Sequence, residues 1–170
     1  MRTPALLLLL AATAAAQTAS FTPFGTGCTL NNQTLAISNQ GLPQLGQTFQ
    51  IMYSGPNFTF TSAQQTAWPN LVMGLGQQIT PLPPGIFGLF LQPNGCQGYI
   101  TADLLLPTAP DPNGRPMYEN FIALTVPNSP PLLGAVLYAQ WITLFQQCGF
   151  AGCNLAALPT SDAATITVGL

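Results

Sequence analysis

Apolar and polar residues alternate along this chain in short runs that Pro and Gly cut apart. Thr34-Leu35-Ala36-Ile37-Ser38 alternates, and so does Thr48-Phe49-Gln50-Ile51-Met52-Tyr53 ahead of Gly55-Pro56. A period of two sends successive side chains to opposite faces, so each run reads as a half-buried strand. The same reading extends to Leu71–Leu75, Ile86–Leu91, Tyr99–Leu106, Met117–Val126, Ala135–Phe145 and Ala164–Val168. Past residue 16 no stretch sustains a period of 3.6, which disfavours a helical bundle or a parallel α/β sheet. The expected fold is all-β: an antiparallel sandwich of about eight strands, Ig-like or jelly-roll-like.

The breaks between these runs carry turn chemistry. Pro93-Asn94-Gly95 and Pro112-Asn113-Gly114 place Asn-Gly where positive φ is wanted, as in hairpin reversals. The second is expected to join a strand ending near Leu106 to one starting near Met117. Asn128 to Gly134, with a capping residue, Pro130-Pro131 at its start and Gly at its end, reads as one helical turn.

Residues 1–16 differ from everything after them. Arg2, the apolar run from Ala5 to Ala12 and Ala14-Ala15-Ala16 have the layout of a secretory signal peptide, and the run is too short to span a bilayer. Residues 17–170 are then a single domain. Every later apolar stretch is interrupted by Pro, Gly or polar residues, so no transmembrane segment is expected. The product is expected to be secreted, either extracellular or held peripherally at the cell surface.

Charge is almost absent. The chain has no His, 2 Lys+Arg and 4 Asp+Glu, against 48% hydrophobic residues. After residue 16 the acids Asp103, Asp111, Glu119 and Asp162 face Arg115 alone. One Arg makes no phosphate-binding patch, which excludes nucleic acid as a partner. So weakly charged a surface offers little repulsion between copies, leaving extracellular protein, polysaccharide or self-association as candidate partners.

Four Cys in an exported chain are most simply two disulfides. Three pairings exist in principle. Cys148 and Cys153 flank Gly149-Phe150-Ala151-Gly152, a loop short enough to close locally, which leaves Cys28 for Cys96. On the loop-entropy account the long link stabilises by roughly 4 kcal/mol and the short one by roughly 2 kcal/mol. Without C-x2-C knuckles or His, no metal site is expected, and nothing calls for a cofactor.

No catalytic residue set stands out. Without His or Lys a Ser or Cys hydrolase lacks its usual general base. A carboxylate pair remains: Asp103 and Glu119, on strands that could neighbour each other across the Asp111 loop, with solvent-facing strand residues as the plainer reading. Asp111-Pro112-Asn113-Gly114 faintly resembles a calcium loop, but one carboxylate is too few and a turn is the simpler assignment. Aromatics could instead stack on uncharged sugar rings. Trp68, beside Pro69 and the polar Gln64-Gln65-Thr66, is the best candidate for exposure. Tyr138 and Trp141 are the other binding candidates, although their opposite parity keeps them off one face unless a bulge intervenes, and core packing is the default for any single aromatic. Asn32-Gln33-Thr34 and Asn57-Phe58-Thr59 fit the N-glycosylation pattern.

An ordered set of short motifs adds a resemblance. Phe24-Gly25-Thr26-Gly27-Cys28, Gly41-Leu42-Pro43-Gln44-Leu45-Gly46, Gly95-Cys96, Val126-Pro127-Asn128-Ser129-Pro130, the run Leu133–Trp141 and the close Ile166-Thr167-Val168-Gly169 stand in this order. Together they resemble the small secreted bacterial domains with an opening F-G-x-G-C, a late Y-x-Q and a terminal strand ending I-G. The resemblance covers nearly all of residues 17–170 and implies an all-β sandwich in which Cys28 pairs with Cys96. The chain departs from that family in its added Cys148 and Cys153, and in Ser161-Asp162 where Ser-Asn is usual. The family brings no established activity. The expected function is therefore a non-catalytic surface, adhesive or matrix module, with a carbohydrate-binding module as the alternative and a carboxylate-dependent extracellular hydrolase behind it.

Overall fold

The computed structural model describes residues 17–30, 33–55, 65–82, 96–108, 121–149 and 152–170. Within them the chain forms β1 (Ser20–Phe24), β2 (Thr29–Leu30), β3 (Gln33–Thr34), β4 (Ala36–Gln40), β5 (Thr48–Ser54), β6 (Gln65–Gly74) and β7 (Gln77–Pro81). It continues through β8 (Gln97–Ile100), β9 (Leu104–Pro107), β10 (Phe121–Thr125), a 3-10 turn (Pro130–Leu132), β11 (Val136–Gly149), β12 (Gly152–Ala157) and β13 (Thr160–Thr167).

The central sheet runs β1-β13-β11-β6-β9, with β12 also on β11; a second sheet runs β10-β5-β4, and β7 pairs with β8. Every pairing of named strands is antiparallel. The core lies between the two sheets. Ile37, Phe49 and Ile51 from the second sheet meet Leu71, Met73, Ala139, Trp141, Ala164 and Ile166 from the central one. The period of two makes this possible, since Leu71 and Met73 point inward while Val72 points to the other side. There Val72 and Tyr138 pack with Tyr99 and Ile100 of β8, so the β7–β8 ribbon covers part of the central sheet's second face. The fold is thus an all-β sandwich with a partial third layer.

Several expected elements differ in extent. Pro69 suggests a strand beginning at Leu71, yet β6 starts at Gln65. The Pro69 carbonyl accepts the backbone N–H and the hydroxyl of Thr108, so its missing donor points past the end of β9, where no ladder bond is lost. The run from Tyr99 to Leu106 splits into β8 and β9, which belong to different sheets; Thr101 and Asp103 turn the chain between them. Consequently β9 belongs to the central sheet and β10 to the second one, and the two do not pair with each other among the described residues. Asn94-Gly95 does lie between paired strands, β7 and β8. The helical turn forms at Pro130–Leu132, without a side-chain cap. Residues 1–16, Asn32, Asn57, Ile86–Leu91, Asp111, Arg115, Glu119 and both Asn-Gly turns lie outside the described residues. Among the described residues no helix is long and apolar enough to cross a membrane.

Candidate binding surface

The sequence motifs meet one another in space, and they do so to close the fold. Cys28 and Cys96 form a disulfide with Cα atoms 5.0 Å apart. Gly25, at φ +77°, lies flat against the Tyr99 ring, where any Cβ would come within 2.8 Å of ring carbons. The Tyr99 hydroxyl accepts the Thr26 N–H at 3.1 Å and donates to the Thr26 carbonyl at 3.2 Å. Phe24 meets Tyr99 and Tyr138 edge-on. Gln140, 3% exposed, accepts the Tyr99 N–H at 2.9 Å and donates to the carbonyls of Gln97 and Ser161 at 2.9 and 2.8 Å. These contacts pin β8 to β11 and β13. A second meeting point lies at the chain's end. Gly46, at φ +73°, forms a bulge opposite Val126, giving its N–H to the Val126 carbonyl, while Leu45 N–H reaches Gly169 and Gly169 N–H reaches Pro43.

The carboxylates are employed in the same way. Asp103 accepts the Leu75 N–H and the Thr101 hydroxyl, each at 2.8 Å, and the backbone bond followed by the hydroxyl bond lowers its pKa. Asp162 accepts the Ile37 N–H at 2.7 Å, and burial, outweighing that bond, raises its pKa. Asp162 lies on β13 and Asp103 just before β9, strands separated by β11 and β6, so their backbones are about 14 Å apart across the sheet, wider than the carboxyl spacing of a glycosidase pair. Glu119 lies outside the described residues, and among those described no cluster of His, Cys, Asp or Glu has metal-binding geometry.

The aromatic candidates are not brought together. Trp141 is fully buried between the sheets, edge-on to Tyr53 at 5.8 Å, and cannot stack on a ligand. Its parity with Leu71 and Met73 sends it inward, and its unbroken register with β6 keeps Tyr138 on the opposite face. The indole N–H has no hydrogen-bond partner among the described residues. Burial pushes the Tyr53 hydroxyl up to about 12, and it accepts from Thr143. Trp68 is 40% exposed. It shares a face with Tyr138, but Trp68 pairs with Leu144 and Tyr138 with Gly74, about 20 Å along the strands. The backbone register sets Cys148 opposite Cys153; their side chains lie outside those described.

Sequence reasoning singled out single aromatics and overlooked a whole face. The outward side of the second sheet carries Ala36, Ser38 and Gln40 of β4, Thr48, Gln50, Met52 and Ser54 of β5, and Phe121, Ala123 and Thr125 of β10. None of these side chains is ionisable. Thr48 and Thr125 hydroxyls meet at 2.8 Å, and Gln40 stands opposite Gln50. The signal was present as the polar half of two alternating runs. What this sandwich defines is a class, a disulfide-stapled β-module whose motif residues serve its own closure. No protein family, curated protein or solved structure matches the chain.

Proposed function

We propose that this protein is a secreted, non-catalytic module that adheres through the uncharged outer face of the second sheet, to extracellular protein, polysaccharide or its own kind. The supporting observation is that face: it presents hydroxyls, amides and apolar groups with no charge, while the carboxylates described are bound to backbone N–H groups elsewhere. An uncharged polar surface has no desolvation cost of ions to overcome when it meets another one. The signal-peptide layout of residues 1–16 and the Cys28–Cys96 disulfide fit an oxidising, extracellular setting.

The carbohydrate-binding alternative rests on Trp68 alone, since Trp141 is core. Retention of the oxidised mature protein on insoluble polysaccharide and on protein-coated surfaces separates the readings. Saturable retention that is lost when Ser38→Lys and Gln50→Lys are combined, and kept in Trp68→Ala, is the expected result. Loss on polysaccharide in Trp68→Ala alone would transfer the function to the aromatic site, and absence of retention on every surface would reject adhesion.

A further inference from the structure

An exposed strand edge offers unpaired N–H and C=O groups to any other strand, and proteins normally guard such edges with Pro, charge, bulges or covering segments. This molecule guards most of its own. Pro23 sits within β1, β9 ends in Pro107, and β7 and β12 lie in pairings with register shifts. At the start of β4 the outward N–H of Ile37 is taken by the Asp162 carboxylate, and the N–H of Leu35, just before the strand, by the Cys28 carbonyl. β10, at the far edge of the same sheet, has no Pro, no charge and no register shift.

The Val126 N–H bond to Gln47 fixes which groups of β10 face inward. Residues alternate along an antiparallel ladder, so Ile122 and Leu124 bond to β5, and the N–H and C=O groups of Phe121, Ala123 and Thr125 point away from it. Among the described residues nothing meets them. The side chains add a second requirement. Ile122 and Leu124 turn toward the core yet are only half-buried at this edge.

We propose that β10 pairs antiparallel with β10 of a second copy about a two-fold axis at Ala123, joining the two second sheets into one continuous sheet. In that register Phe121 lies opposite the partner's Thr125 and Ala123 opposite its own equivalent, each pair exchanging two hydrogen bonds. Ile122 then falls beside the partner's Leu124 on the core side, and the reverse, so each half-buried residue is covered by the other. An unrelated strand supplies the backbone bonds but not this reciprocal apolar match, and the near-absence of charge leaves little repulsion between copies. The pairing also doubles the uncharged outer face. It rests on the adhesive-module reading by enlarging that surface, but molecular mass is measured without any adhesion, so the two can fail separately.

Analytical ultracentrifugation of the oxidised mature protein over a wide concentration range is the test. Wild type is expected to move from protomer to twice the protomer mass. Ala123→Pro removes an outward N–H while sparing every bond to β5, and should raise the dimer dissociation constant by about tenfold or more. Phe121→Lys with Thr125→Lys sets like charges opposite across the two-fold and should abolish the dimer, whereas Phe121→Lys with Thr125→Glu sets opposite charges there and should restore it. Restoration does not depend on how well the Pro variant folds. A monomer at all concentrations, or a dimer indifferent to the paired lysines, would overturn the proposal. So would assembly found only with a strand from a different protein.

Discussion

The corner around β8 and the edge at β10 are both short uncharged strands, Gln97–Ile100 and Phe121–Thr125, yet they use their hydrogen-bonding groups in opposite ways. At β8 a buried amide, a phenol and a disulfide converge on four residues: Gln140 takes both a donor and an acceptor from the strand, and Tyr99 returns a bond to Thr26. At β10 a strand of similar length pairs, among the described residues, with β5 alone. A polar group enclosed by protein must find its partner inside the chain, because leaving it unmatched costs about 1–3 kcal/mol, whereas at an edge water or another chain can supply it. Burial, more than residue type, separates the part of this molecule that closes on itself from the part left to meet something else.

That contrast breaks most strongly at the disulfide. Replacing Cys28 and Cys96 together by Ala opens a link spanning 68 residues and is expected to cost about 2–5 kcal/mol, seen as a lowered midpoint in denaturant unfolding. The loss should fall first on β8, so amide exchange at Tyr99 and Ile100 should accelerate more than at Ile51. Uniform acceleration would mean that the corner is not a separate unit of stability.

Gln140→Leu comes next. It keeps the volume but orphans the Tyr99 N–H and removes a donor from two carbonyls, for an expected cost of about 1–3 kcal/mol. A variant as stable as wild type would show that water or a shifted β8 replaces the amide. Neither change should alter the oligomeric state set at β10, which is what makes the two regions separable.

Much of the fold can be read from local alternation, because β4, β5 and β11 each bury one face against the same core and so repeat with period two. Where the reading stops short, a non-local partner decides. Pro69 looks like a strand breaker until Thr108 is known to sit beside its carbonyl. The Tyr99–Leu106 run looks continuous until Asp103 is seen to cap the turn at Leu75, sending its two halves to different sheets. The motifs of the sequence resemblance were visible as strings, but nothing in a string says that Gln140 binds the backbone of Tyr99. Trp141 illustrates the reverse failure. Its size suggests a ligand platform and a core anchor equally, and only pairing with Leu71 assigns it to the core. The outer face went unnoticed because Ser, Thr and Gln at alternate positions are what any solvated strand shows; its lack of charge becomes meaningful only when three strands lie side by side.

The smallest expected effect sharpens the comparison within a single sheet. Asp162 guards the β4 edge that β10 leaves open at the other side, and it does so as a partly buried carboxylate whose pKa is raised, mainly by burial. A raised native pKa means the folded chain holds that proton more tightly than the unfolded one, so this group's contribution is fully present below the unfolded value and is lost as pH rises through the folded value. Asp103, with a lowered pKa, works in the opposite sense: its contribution is present above the unfolded value and lost as pH falls through the folded one. Asp162→Asn keeps an oxygen acceptor for Ile37 N–H and removes the charge whose burial is unfavourable. The variant should therefore melt slightly above wild type at neutral pH, and the gain should vanish near about pH 3, where the wild-type carboxyl is protonated as well. Thermal scans at the two pH values check this. Equal loss of stability at both would mean that the carboxylate's geometry at the guarded edge matters more than its charge, and the edge would then be held by a bond that an amide cannot imitate.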